Sequence, residues 1–173
     1  MHSNLYFFTA TILEWKHLLK NDVYKDIIID SLTFLVNDNR IIVYAFVIMP
    51  NHIHLIWRIL EPHFKSNVQR DFLKYTAQQI KAKLKSDDMR YLHEFRVNAK
   101  DREFQFWERD PLSVELISLP VIKQKIDYVH SNPVHPKWKL AEQVTDYKYS
   151  SARFYYMGEQ DFGFLSNIGV EYM

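Results

Sequence analysis

Apolar residues recur along this chain with two periods, and each change of period predicts a new element. "LYFFTATI", Leu5 to Ile12, is β-branched and aromatic and predicts a strand. From Tyr24 the apolar positions Tyr24, Ile27, Ile28, Leu32 and Leu35 follow helical spacing, with Asn21 or Asp22 as N-cap. "NDNR" (37–40) predicts a turn. Ile41 to Ile48 and His52 to Leu60 predict two strands. The short Met-Pro-Asn connection makes them an antiparallel hairpin, because parallel strands need a long crossover. Ser66-x-x-Gln69 has the form of a capping box, opening a helix to about Lys85. That helix sets Phe72, Leu73, Thr76, Ile80 and Leu84 on one side and Arg70, Lys74, Gln78, Lys81 and Lys85 on the other. Residues 86–103 are polar and predict a loop, and "FQFWERD" (104–110) and "SVELIS" (113–118) predict short strands about Pro111. Pro120 suits the first turn of a helix running to about Ser131. That helix is expected to stop because the residue before Pro133 is pushed out of the helical region. The aromatic tail from Trp138 follows neither period.

The order strand, helix, strand, strand, helix, short strand, helix predicts an α+β fold. It is close to the ferredoxin-like split motif, an antiparallel sheet with helices packed on one face. The chain has 173 residues, only three glycines and no repeat or linker-like stretch, so a single domain spanning 1–173 is expected. Met1 to Asn4 lead straight into the first strand without a signal-peptide pattern. No apolar run approaches the roughly 18 residues of a membrane span. Cysteine is absent, which excludes disulfides and thiolate metal sites. These features lead to the expectation of a cytoplasmic protein with no membrane partner. With 22 Lys plus Arg against 21 Asp plus Glu, the chain lacks the positive excess of a general nucleic-acid coat, so DNA binding would need a local patch.

"VIMPNHIHLIWRI" (47–59) places two histidines in an otherwise apolar stretch. Alternation puts Ile53, Leu55, Trp57 and Ile59 on one face of the strand and His52, His54, Ile56 and Arg58 on the other. The strand is therefore expected to be half-buried, its histidines on the side that helices need not cover. Two imidazoles at i and i+2, with Cβ atoms ~7 Å apart, can converge on one divalent ion. Two ligands are too few for a closed structural zinc site but suit an open Lewis-acid site. The alternative is a pair of surface histidines with ordinary hydrogen bonds. In "KIDYVHSNPVH" (125–135), Ile122, Ile126 and Val129 form the apolar stripe of the helix, and Tyr128 and Asn132 share another face with Lys125. A nucleophile, a third metal ligand and a phosphate contact is one reading of that face. An amphipathic helix with a half-buried Tyr and an Asn at its C-terminal end is the other.

Taken together, "YAFVIMPNHIHLIWRI" and, about seventy residues on, "YVHSNPVH" resemble the REP-associated tyrosine transposases, within the insertion-sequence-200-like single-tyrosine HUH endonucleases. The family's Met-Pro-Asn-His-x-His box is present as Met49 to His54, and its Tyr-x-x-x-Asn-Pro-Val as Tyr128 to Val134. "FFTATI", "FLKYTAQQI", "FQFWERD" and "YKYSSARFYY" are weaker echoes across the chain; Tyr149 stands where the family has Trp, and His135-Pro136 replace its usual basic residue. The resemblance implies the HUH transposase fold and a metal-dependent transposase that cleaves and rejoins single-stranded or hairpin DNA. It implies Mg²⁺ or Mn²⁺ on His52, His54 and Asn132, and Tyr128 as the nucleophile that forms a 5′-phosphotyrosine link. DNA contacts are expected from Arg70, Lys74 and Lys81, with Lys125 and Arg58 nearer the site. Nucleoid association follows, and monomer and homodimer both remain open. Because imidazole must be neutral to ligate, activity is expected to fall below about pH 6. Two other classes remain: a catalytically idle hairpin-binding protein, and a hydrolase that uses the histidines with water.

Overall fold

Phe7 and Phe8, which point to opposite faces of the first strand, are both buried, and burial is nearly complete along the next two strands, so the sheet carries packed layers on both faces. The structure, a computed structural model, describes residues 3–172. Met1, His2 and Met173 of the expected 1–173 span lie outside the described residues. The order is β1 (Leu5–Thr11), α1 (Asp22–Asn37), β2 (Ile41–Ile48), β3 (His52–Ile59), α2 (Lys65–Asp87), α3 (Met89–His93), β4 (Leu112–Glu115), α4 (Leu119–Ser131), α5 (Ala152–Met157) and α6 (Gly169–Tyr172). The strands lie in the order β2-β3-β1-β4, every pair antiparallel, which is the α+β, ferredoxin-like arrangement expected from the sequence.

One face bears Phe8, Ile53, Leu55 and Trp57, on which α1 packs through Ile28 and Leu32 and α2 through Phe72 and Ile80. Asn21 caps α1, its side-chain oxygen accepting the Val23 N–H. The other face bears Leu5, Phe7, Tyr44, Ala45, Val47 and Ile56, and α4 covers it through Ile122, Ile126 and Val129. α1 and α2 thus share a face, with Leu92 of α3 in the same core, and α4 lies across the opposite one. This corrects the half-buried strand expected for β3, whose histidine side lies under a helix. At Tyr44 the β2–β3 register shifts, so that Val43 and Phe46 both reach the α1/α2 side while Tyr44 and Ala45 face α4.

Several local expectations change in three dimensions. α2 starts at Lys65 after Phe64 with no side-chain cap, and Gln69 donates instead to the Ser113 hydroxyl of β4, so the Ser66 capping box does not form. Residues 104–110 make only isolated bridges, because the adjacent Phe106 and Trp107 are both buried and a regular strand would point one of them outward. Within the expected 86–103 loop, Asp88 caps the short α3 through the Tyr91 N–H. The aromatic tail gains its place by pairing: the Ile48 N–H donates to the Tyr149 carbonyl, the Ser151 N–H to that of Phe46, and the Ser166 N–H to that of Val43. It thereby covers the β2 edge.

Candidate active site

His54 is the most enclosed member of a cluster formed where α4 crosses β1 and β3. In the β1–β3 register Thr9 faces His54, and their side chains meet, Thr9 Oγ1 to His54 Nδ1 at 2.7 Å. Phe7 stacks on the same imidazole at 5.3 Å and 21°. The residue is only 5% exposed, and among the described residues its buried Nε2 has no hydrogen-bond partner. His52, with its ring centroid 4.7 Å from that of His54, donates through Nδ1 to the Asn51 carboxamide oxygen at 2.7 Å, which leaves its Nε2 as the lone-pair nitrogen. The Met-Pro-Asn turn therefore orients His52 through Asn51, and the first strand orients His54 through Thr9.

From α4, Tyr128 brings its ring within 5.3 Å of His54 and 6.1 Å of Phe7, while remaining 49% exposed. The apolar stripe of α4 is buried beside it, so the phenol stands on the free flank, as its spacing predicts. Lys125 lies one turn earlier, its ammonium 4.7 Å from the Phe7 centroid and 5.7 Å from that of Tyr128. Asn132 does not leave the helical region before Pro133: its φ and ψ are −53° and −48°, and a 3₁₀ turn, Asn132–Val134, continues the helix. The α-helix ends at Ser131 as expected, but not for the expected reason: Asn132 stays helical, and the proline occupies an early position of the new turn, where it needs no N–H. Continued helical geometry keeps Asn132 on the Tyr128 face and near enough to His52 for its carboxamide to favour the protonated imidazole.

Burial holds the His52 imidazole down to about 4, with the Lys137 charge adding to the effect and Asn132 opposing it. Burial pushes His54 to about 3, helped by His52 and Lys125. Both rings stay neutral far below pH 6, so the expected loss of ligating capacity near that pH is corrected. An orphaned buried imidazole nitrogen, a second oriented imidazole and a carboxamide fit a divalent ion of open coordination. Among the described residues, no group of three or more His, Cys, Asp or Glu is placed to hold a metal ion.

The other expected DNA contacts lie apart. Arg70, Lys74 and Lys81 are exposed along a groove between α2 and residues 101–111, on the α1/α2 side of the sheet and away from the histidines. Arg58 shares the histidine face but lies toward the other end of β3, its guanidinium 5.6 Å from the Tyr44 ring centroid. Two tyrosines that could substitute for Tyr128 are engaged: Tyr149 donates to Asp26 at 2.7 Å, and Tyr155 donates to the Tyr44 carbonyl at 2.8 Å. Burial raises the Tyr149 hydroxyl well above its ordinary value and Tyr155 to about 12. Sequence reasoning missed Thr9, Asn51 and Trp138. Asn51 stood inside the recognised box, but Thr9 had no signal before the strand register was known. Trp138 lies 5.8 Å from His52.

With this geometry in hand, the chain resembles two solved structures. One is a REP-associated tyrosine transposase bound to a REP hairpin, at a TM-score of 0.67 and 19% identity over 97% of this chain and 88% of that one. The chain has its fold. The second is a candidate transposase of Deinococcus radiodurans R1, at a TM-score of 0.50 and 14% identity over 73% of this chain and 88% of that one. No protein-family model and no curated protein matches the sequence. Among the described residues, no helix is long and apolar enough to cross a membrane.

Proposed function

We propose that this chain is a REP-associated-type tyrosine transposase that nicks and rejoins single-stranded, hairpin-bearing DNA through a covalent link to Tyr128. The observation that carries the reading is the half-exposed Tyr128 phenol set against His54, whose buried Nε2 lacks a partner. The Tyr128 oxygen attacks the scissile phosphorus; the Tyr128 Oη–P bond forms and the P–O3′ bond breaks. The phenol proton passes to solvent, and the departing O3′ takes up a proton. The new phosphodiester keeps the energy of the old one, so a 3′-hydroxyl can reverse the step and join strands. No water-activating carboxylate is required. His52, His54 and Asn132 would hold Mg²⁺ or Mn²⁺, which supplies Lewis-acid polarisation of the scissile phosphate. Lys125 adds positive charge where the phosphate would sit, and Arg70, Lys74 and Lys81 offer phosphate contacts to a more distant part of the DNA. Nucleoid association follows from DNA as the partner.

The test is incubation with Mg²⁺ and labelled single-stranded DNA from the flanks of the protein's own gene. A denaturation-resistant protein–DNA adduct is expected. Cleavage without an adduct would favour hydrolysis, and tight hairpin binding without cleavage would favour an idle binder.

A further inference from the structure

The rings around the histidine pair continue past it. Tyr128, His54, His52, Trp138 and His17 follow one another at centroid distances of 5.3, 4.7, 5.8 and 5.8 Å. Lys125 stands beside the Tyr128 end, and Lys137 holds its ammonium 5.6 Å from the Trp138 centroid. The Lys137 charge lowers His52, and the His52 and Lys125 charges lower His54. Trp138 is held in a closed turn, its backbone N–H donating to the His135 carbonyl at 2.8 Å and the Leu140 backbone N–H to that of Pro133 at 2.8 Å. One part of the indole packs on the α4-side core and the rest is open to solvent. An indole of this kind, pre-set beside the Lys137 ammonium, is suited to stacking on a nucleobase.

Resting on the transesterification proposed above, we infer that Trp138 and Lys137 form a nucleotide subsite on the far side of the histidine pair from Tyr128, holding the nucleotide whose O3′ departs. The in-line requirement gives the direction. The attacking and leaving oxygens lie on opposite sides of the phosphorus. With Tyr128 at one end of the histidine pair, O3′ departs toward the other, where Trp138 offers its ring to the base and Lys137 its charge to the next phosphate. Held there, the 3′-hydroxyl stays poised to reverse the reaction instead of diffusing away.

The experiment measures binding and adduct formation for the full chain with an oligonucleotide whose cut position has been mapped from the wild-type adduct. Trp138→Ala is expected to weaken binding roughly tenfold, in the range for loss of one base–aromatic stack. Trp138→Phe should restore most of it. An abasic residue on the leaving side of the scissile phosphate should weaken wild-type binding by the same factor and leave Trp138→Ala unaffected. An abasic residue on the Tyr128 side should weaken both proteins equally. Thermal melting of each variant separates lost stacking from lost folding. Wild-type affinity in a folded Trp138→Ala, or non-additivity with the Tyr128-side abasic residue, would overturn the subsite while leaving the tyrosine chemistry standing. Absence of any adduct in the wild type would overturn both.

Discussion

Thr9 and His54 are cross-strand partners, and the threonine hydroxyl lies 2.7 Å from the imidazole Nδ1. The contact directs Nδ1 toward the first strand and leaves Nε2 facing the site. Thr9→Val keeps the shape but removes the hydroxyl, leaving a buried ring nitrogen unpaired at a cost of about 1–3 kcal/mol. Loss of such an orienting partner should lower metal affinity by about 10–100-fold. Titration of Mn²⁺ by electron paramagnetic resonance checks this, and unchanged affinity would show that Thr9 does not orient the ring.

Removing either imidazole should abolish cleavage. His52→Ala and His54→Ala are expected to fold, since neither deletes part of the large apolar clusters. Excess chelator should reproduce their effect on the wild type. Full activity in chelator would reject the metal assignment.

Tyr128→Phe removes only the hydroxyl of a half-exposed residue. Stability and DNA affinity should stay within a few tenths of a kcal/mol, as for surface changes generally, while the covalent adduct disappears. Denaturing gel electrophoresis reads the outcome. The engagement of Tyr149 and Tyr155 with Asp26 and the Tyr44 carbonyl predicts that neither replaces it.

Substrate form should matter as much as sequence. One tyrosine beside one histidine pair suits attack on a single strand, so a hairpin-foot junction should be cut and a perfect duplex should not. Equal cleavage of blunt duplex would reject the assignment.

Acid should destabilise the metal-free protein before its carboxylates titrate. Burial lowers His130 and His52 to about 4 and His54 to about 3, all below an unfolded value of 6.5. Between those values the unfolded chain binds protons that the folded chain refuses, so stability is fully present above about pH 6.5 and declines as pH falls toward 4. For His130, whose Nε2 meets the Ser151 hydroxyl at 2.7 Å, the lowering corresponds to roughly 3 kcal/mol at 1.36 kcal/mol per unit. Urea unfolding at about pH 7 and about pH 4.5 measures it, and equal midpoints would contradict the burial of these rings.

The sequence by itself determined the main strands and helices and which of their residues share a face, because both are local. Period-two alternation separates Ile53, Leu55 and Trp57 from His52 and His54 whatever lies above the strand. Helical spacing likewise sets Tyr128 and Asn132 on one flank of α4, away from Ile126 and Val129. Tertiary structure alone decided what covers each face and what those residues meet. Placing α4 across the histidine side buried His54 and joined Tyr128 to it, a contact between residues 74 apart. Strand register, which no single segment encodes, paired Thr9 with His54. The same long-range packing separated Arg70, Lys74 and Lys81 from the site and drew Trp138 to His52. Such contacts depend on how distant surfaces fit, and a periodicity of two or of 3.6 carries no information about that fit.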